Sequence, residues 1–156
     1  MMAHSSKQLR LDSFLPYRLS VASNMVSDAI ADTYRALFGL RIPEWRLIAV
    51  LAESDGLTQQ ALGARTRMDK VTVSRAAATL AERGLIARAP NPADQRSHRL
   101  TLTPAGRDLY AEVAPEALEM EARLFGELSA AERATLDTLL SRIEAAAARL
   151  DGSSSR

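Results

Sequence analysis

The side chains best suited to bind a charged partner are arginines, and they are concentrated in one part of the chain. Between Thr58 and Arg107 the sequence has nine basic and three acidic residues, a net charge of +6, whereas the whole chain carries only +1. Phosphates are natural partners of such a basic segment, and an acidic remainder would stay away from DNA. A solvated basic face without a partner is the alternative, because blocks of like charge are common.

One helix within this basic segment could enter DNA. The apolar period predicts a helix that is capped by Asp69, runs to about Arg83 and is ended by Gly84. Its outward face should be small and polar, without bulky aliphatic side chains, which suits a major groove about 12 Å wide. A solvated face of an ordinary core helix is the alternative. The predicted inward residues are Val73, Ala76, Ala77 and Leu80, and the predicted DNA contacts are Lys70, Thr72, Ser74, Arg75 and Thr79, with Arg75 placed to bind guanine.

A charged hairpin follows this helix. The pattern changes from helical to alternating, which predicts a pair of strands joined by turn residues. Asp94 and Arg96 stand two positions apart in the turn, so we expect the carboxylate to fix the direction of the guanidinium. An oriented arginine suits a narrow minor groove, and Arg88 and Arg99 on the strands would meet phosphates. A surface ion pair without function is the alternative. The strands are predicted at 86–90 and 98–102, with the turn at 91–96.

The remaining elements must position these two features. We predict a mainly α fold with a small β-hairpin wing, namely a winged helix-turn-helix flanked by long dimerisation helices. Apolar stripes on the first and last helices would expose large apolar areas on a monomer, and pairing them across a two-fold axis would bury both. Ser13 and Thr58 are expected caps, the pair Ser129 and Glu132 an expected capping box, and Pro115 an expected bend or break. The predicted segments are a disordered arm at 1–12, a dimerisation helix at 13–42, the DNA-binding lobe at 43–103, dimerisation helices at 104–150 and a disordered tail at 151–156.

Three stretches in and beside these elements resemble the MarR family of bacterial transcription regulators. They are MDKVTVSR at 68–75, RGLIAR at 83–88 and DQRSHRLTLTPAG at 94–106, and the similarity extends over nearly the whole chain. The resemblance implies an obligate dimer built from the terminal helices, DNA recognition by the fourth helix, and a wing whose aspartate-arginine pair matches Asp94 and Arg96. It also implies that a small, often aromatic or phenolic molecule in a cleft between the dimer helices and the DNA-binding lobe releases the DNA.

A candidate effector site is predicted beside the first apolar stripe. Small polar residues cluster on one side of the first helix, and an aromatic and several cationic residues could complete a cleft for an aromatic carboxylate. The alternative assigns these residues to close packing, to the core or to the solvated surface. The candidates are Arg18, Ser20, Ser23, Asn24, Ser27, Trp45, Arg46 and His98.

The same sequence argues against several other classes of protein. The absence of cysteine excludes a disulfide framework, a thiolate metal site and a thiol sensor. With only His4 and His98 there is no metal-ligand spacing and no triad, and no glycine-rich phosphate loop occurs, so we expect no enzyme and no cofactor. The polar start and the lack of a long apolar run predict a cytoplasmic protein. The serious rival is a winged-helix module that binds protein instead of DNA, with little response to salt.

Overall fold

The computed structural model describes residues 7–153, whose contacts form two compact units, the first ending at Ala117 and the second beginning at Leu118. None of the described helices is long and apolar enough to cross a membrane. A short 3-10 turn at Leu11–Ser13 precedes the first α-helix. The helices and strands that follow are α1 (Leu15–Phe38), α2 (Ile42–Ala52), β1 (Leu57–Thr58), α3 (Gln59–Thr66), α4 (Lys70–Glu82), β2 (Ile86–Asn91), β3 (Asp94–Leu102), α5 (Pro104–Phe125) and α6 (Ala130–Ser153).

Local hydrogen bonds define the helix-turn-helix formed by α3 and α4. The Thr58 hydroxyl accepts from the Ala61 N–H at 3.1 Å, and the Asp69 carboxylate accepts from the Thr72 N–H at 2.8 Å. Both predicted caps are therefore confirmed. Between the two helices Arg67 adopts a left-handed conformation with φ of 56°, which ends α3 three residues before α4 begins. Gly84, with φ of 72°, follows the end of α4 as predicted.

The sheet contains one strand more than the sequence predicted. Its order is β1-β3-β2 and both pairs are antiparallel, with Leu57 opposite Leu100 and Ile86 opposite Leu102. A two-residue strand such as β1 has no readable alternation, so only its pairing with β3 reveals it. The wing is also longer than expected, because β3 begins at Asp94 and pairs this residue with Asn91. The loop at the wing tip is therefore short.

The core of the first unit lies between α2, α4 and the sheet. The four predicted inward residues of α4 are buried and pack with residues of α2, and Leu100 and Leu102 of β3 face the same core. For α2, the apolar pattern of the sequence predicts an inward side formed by Trp45, Ile48, Ala49 and Ala52, and this prediction is only partly right. Ile48 is fully buried, but Leu47 and Leu51 join it, whereas Trp45, Ala49 and Ala52 are only half-buried. The four buried residues of α4 are Val73, Ala76, Ala77 and Leu80.

Several predicted boundaries differ from the structure. Ser13 does not cap α1, because its hydroxyl donates to the Arg10 carbonyl and Pro16 lies in the first turn after Phe14 instead. Of the bend or break predicted at Pro115, the break is absent, since α5 continues through this residue. Pro115 has no N–H to donate to the Ala111 carbonyl four residues earlier. Ala111 is exposed, so a water molecule can donate to this carbonyl instead.

The two chain ends were predicted to be disordered. Positions 1–6 and 154–156 lie outside the described residues, so this prediction is not tested there. Within the described part, the arm contains the 3-10 turn, and α6 continues to Ser153 instead of ending near Leu150. The Ser153 hydroxyl donates to the Leu150 carbonyl at 2.8 Å, which closes the last turn of α6.

The second unit comprises the end of α5 and all of α6. Ser129 and Glu132 form the predicted capping box, with bonds of 2.9 Å and 3.1 Å, and the Arg133 guanidinium donates to the Phe125 carbonyl. None of the described residues of α6 is buried. Its apolar stripe is therefore open to solvent along the helix, and the exposed members include Leu139, Ile143 and Leu150.

Candidate nucleic-acid interface

The outward face of α4 is mostly polar, although Val71 and Ala78 on it are also exposed. Ser74, Arg75 and Thr79 are exposed on the side away from the core, as predicted. The expectation that this face lacks bulky aliphatic side chains is wrong, because Val71 is 59% exposed. Val71 is one turn from Arg75 on the same face. A branched methyl group at this place can contact the methyl of thymine in a major groove.

The start of α4 is fixed by Asp69. Its carboxylate accepts from both the backbone N–H and the hydroxyl of Thr72, each at 2.8 Å. These two bonds, the backbone one first, hold the pKa of Asp69 below its usual range. The Thr72 hydroxyl proton is therefore engaged by the cap, and only its lone pairs remain for a base or phosphate.

At the wing tip, the Asp94 side chain binds a backbone N–H and does not form the predicted ion pair with the Arg96 guanidinium. The Asp94 carboxylate accepts from the backbone N–H of Arg96 at 2.9 Å, and the one ion pair among residues 7–153 is that of Arg65 with Glu53. The reason is local, because a carboxylate two residues before an N–H closes a tight turn more readily than it reaches a long side chain. The Arg96 guanidinium is left exposed and without an ionic partner in the described protein.

Asn91 and Ser97 brace this tip from both strands. The Asn91 amide donates to the Ser97 hydroxyl at 2.9 Å, and its oxygen accepts from the Ala93 N–H at 3.1 Å. The Ser97 hydroxyl in turn donates to the Asp94 carbonyl. These bonds hold the turn in one shape without using the Arg96 guanidinium.

A groove of about 450 Å³ lies between the wing and the helix-turn-helix, and we call it the wing groove. Its cations come from three elements, namely Lys70 at the start of α4, Arg88 on β2 and Arg96 on β3. Cations gathered on a concave surface of this kind can bind a chain of phosphates. The lining residues are Thr58, Gln59, Gln60, Lys70, Arg88, Asn91, Asp94, Arg96, Ser97, His98 and Leu100.

The register of the hairpin separates its two strand arginines. Arg88 is opposite Leu100, and both line the wing groove. Arg99 alternates to the other face, where its guanidinium donates to the Gly56 carbonyl at 3.0 Å and is half-buried. The structure therefore gives Arg99 a partner within the protein, because the turn before β1 places the Gly56 carbonyl beside that face. The phosphate contact predicted for Arg99 would require this bond to break.

A second, smaller cleft adjoins the polar face of α4. It has a volume of about 190 Å³ and lies between the start of α2 and four residues of α4, namely Thr72, Arg75, Ala76 and Thr79. We call it the α2 cleft. Its other lining residues are Arg41, Pro43 and Glu44.

The predicted effector residues are not gathered in one place. Trp45 is half-buried between Tyr34 and Tyr110, with ring centroids 5.6 Å and 5.9 Å away and the Tyr110 ring nearly parallel. His98 instead lines the wing groove, because β3 carries it towards α3 and α4. The α1 candidates Arg18, Ser20, Ser23 and Asn24 are exposed, as is Arg46, whereas Ser27 is half-buried.

Sequence reasoning missed several residues of these surfaces. Gln59 and Gln60 line the wing groove because Thr58 caps α3 and turns its first residues towards the wing. Asn91 was read as turn chemistry without a partner, and no local signal indicated Ser97 as its partner. Val71 could have been found, because it is four residues before Arg75 on the predicted outward face.

Together, the capped helix pair, the polar outward helix and the charged hairpin define a winged helix-turn-helix protein. The family comparison agrees, since the model of the MarR family matches residues 38–97. The chain is 30% identical to a MarR family transcriptional regulator from Silicibacter pomeroyi, with 87% of this chain and 90% of that one covered and a TM-score of 0.74. The chain belongs to the MarR family of transcription regulators.

Two further regulators are similar to this chain. BpsR of Bordetella bronchiseptica is 26% identical, with a TM-score of 0.82 and coverage of 88% of this chain and 97% of that one. A regulatory protein assigned to the hcr operon of Thauera aromatica is 33% identical over 97 residues. That match covers 62% of this chain and spans only 58% of the length of the Thauera protein.

Proposed function

We propose that this chain is a homodimeric repressor that binds an inverted-repeat operator and is released by a small aromatic ligand. In this proposal α4 enters the major groove and the Arg96 guanidinium enters the adjacent minor groove, as in other winged helix-turn-helix proteins. The observation that carries it is the wing groove, which brings Lys70, Arg88 and Arg96 together beside the polar face of α4. A dimer that covers its operator excludes polymerase from an overlapping promoter, which is why we propose repression.

Exposed apolar side chains support the dimer. On α1, Leu15 is 77% exposed and Leu19 is 43% exposed, and the second unit independently leaves Leu118 and Leu150 open. Soluble monomers seldom expose rows of large apolar side chains along their helices. A two-fold dimer would bury such stripes and set two copies of α4 about 34 Å apart, one turn of DNA. Sedimentation at several protein concentrations tests this state directly, and a monomer throughout would contradict it.

Sequence-specific DNA binding is tested by selecting, with the wild-type protein, the duplexes that it binds from a random pool. Affinity for the selected operator and for mixed-sequence genomic DNA is then measured for Arg75→Ala, Arg96→Ala and the control Arg35→Ala. Arg35 is exposed on α1 and lines neither the wing groove nor the α2 cleft. We expect Arg75→Ala to relax base preference within each half-site, with a loss of about 1–3 kcal/mol on the operator.

Arg96→Ala should weaken operator binding by a similar amount, roughly 1–3 kcal/mol, because an arginine in a narrow minor groove is lost. Arg35→Ala should bind like the wild type. Unchanged affinity of Arg96→Ala would remove the wing from the mechanism. Weak, salt-insensitive binding of the wild type to every duplex would contradict the function as a whole and favour a protein-binding module.

The aromatic cluster around Trp45 supports a ligand of the same chemistry. Trp45 and Tyr110 are stacked and only half-buried, and such rings can bind a planar aromatic ligand by stacking. The DNA binding of BpsR, to which this chain is similar, is regulated by 6-hydroxynicotinic acid, an aromatic acid. Release by an aromatic acid is therefore the regulation that we propose for this chain.

Trp45 is the only tryptophan in the sequence, so its fluorescence reports on this cluster alone. A panel of hydroxylated aromatic acids is titrated against the protein while Trp45 emission and operator release are followed together. We expect one class of acid to change both signals with the same midpoint. Release of DNA without a change at Trp45 would place the ligand elsewhere, and a full panel without either effect would contradict ligand control by aromatic acids.

A further inference from the structure

The α2 cleft brings a cation from outside the helix-turn-helix to the side of the recognition helix. Arg41, at the start of α2, lines this cleft together with Arg75 and Thr79 of α4. The packing of α2 against α4 fixes this neighbourhood, because Leu47, Leu51 and Ala77 are fully buried in the shared core. The position of Arg41 relative to α4 is therefore set by the core and not by a mobile loop.

The wing groove and the α2 cleft lie on opposite flanks of α4. Lys70 lines the first and Thr79 the second, and nine residues at about 100° each place them half a turn apart on the helix surface. The exposed face between them contains Val71, Ser74 and Arg75. A helix in a major groove has one phosphate strand on each flank. The wing groove can hold only one of them.

Besides Arg75, which the proposed function assigns to base reading, Arg41 is the cation that lines the α2 cleft. Arg41 is exposed, and its guanidinium takes no part in the one ion pair found among residues 7–153. The backbone N–H groups at the start of α2 offer little to an anion. Glu44, which is 6% exposed, accepts the Arg41 N–H at 2.8 Å, and Pro43 has no N–H to donate.

We propose that Arg41 is a further DNA contact, which binds a phosphate of the strand on the α2 side of the recognition helix. This inference rests on the proposed function, and it assigns the second flank of α4 to contact with the DNA phosphate backbone. Arg41 then acts with the wing groove as a pair of clamps around the major groove. Phosphate contacts set the position of the protein on DNA and carry no base information, so Arg41 should strengthen binding to all sequences.

The test compares Arg41→Ala, Arg41→Lys and the control Arg35→Ala on the selected operator and on mixed-sequence genomic DNA. A dimer that loses two phosphate contacts should lose about 1.8 from the slope of log affinity against log salt. The ratio of wild-type to Arg41→Ala affinity should therefore fall roughly tenfold as salt rises from about 50 mM to about 200 mM. Arg41→Lys keeps a point charge and should retain most of the slope, whereas Arg35→Ala should retain all of it.

The possible outcomes separate this inference from the proposed function. A wild-type protein that binds no duplex in a salt-dependent way contradicts the proposed function and, with it, the role of Arg41. Normal wild-type binding with an unchanged slope in Arg41→Ala contradicts only the role of Arg41. A loss on the operator but not on genomic DNA would make Arg41 a base contact and overturn the phosphate assignment. Thermal unfolding of each variant shows whether it is folded, and Arg41→Gln replaces Arg41→Ala if that variant unfolds.

Discussion

Gly106 gives the sharpest test of how the wing is joined to α5. It is buried near the start of α5, and a Cβ placed there would overlap the backbone carbonyl oxygen of Leu85 and lie 3.2 Å from Leu102 Cδ2. The same corner is tied by Thr103. Its N–H donates to the Leu85 carbonyl at 3.1 Å, and its hydroxyl accepts from the Gly106 N–H at 3.1 Å and donates to the Gly84 carbonyl at 2.6 Å.

The substitution Gly106→Ala should therefore destabilise the protein, although alanine is normally the better helix former. Overpacking a filled site costs about 1–3 kcal/mol, and moving the backbone away loses one hydrogen bond, worth about 0.5–1.5 kcal/mol. The intrinsic preference of alanine for helix offsets about 1 kcal/mol of this. We expect a net loss of about 1–3 kcal/mol in the free energy of unfolding.

Urea unfolding followed by circular dichroism measures this loss, at one fixed protein concentration because the stability of a dimer depends on it. The matched control is Gly152→Ala near the end of α6, where a Cβ would meet nothing within 4 Å. That variant should be as stable as the wild type or slightly more stable. If Gly106→Ala unfolded at the same urea concentration as Gly152→Ala, the close approach of α5 to Leu85 would not exist in solution.

Three further predictions concern the recognition helix and the wing. Bonds from Thr72 lower the pKa of Asp69, so the ionised Asp69 carboxylate caps α4 at neutral pH and this stabilisation is lost as the pH falls below about 4. Hydrogen exchange of the Thr72 amide measures the loss of the cap, and Asp69→Asn should remove this dependence of protection on pH. Asn91→Ala removes the bonds to Ser97 and Ala93, so operator affinity should fall by about 0.5–1.5 kcal/mol with little change in unfolding midpoint, and a normal affinity would show that this bracing is dispensable. Arg67→Val should be less stable than Arg67→Gly by about 1–2 kcal/mol in urea unfolding, since φ of 56° disfavours a β-branched residue; equal stabilities would contradict the left-handed turn.

The sequence alone determined the features that depend on neighbouring residues. The caps Thr58 and Asp69, the capping box at Ser129 and the stop at Gly84 were all predicted, because each is a bond or a backbone angle within a few positions. The buried side of α4 was predicted for the same reason, since a period of 3.6 assigns faces without knowledge of partners. The motifs in this part of the chain were also sufficient to recognise the family.

Only the tertiary structure decided which side chains meet across the fold. The pairing of β1 with β3 brings the Gly56 carbonyl within reach of Arg99, whereas Arg88 faces the wing groove. His98 was predicted to lie near Trp45, but β3 carries it to the wing groove. Arg41 lies outside the basic segment and reaches α4 only because the core packs α2 beside it. Such contacts join residues far apart in sequence, and their positions depend on how whole helices and strands pack, which no local pattern encodes.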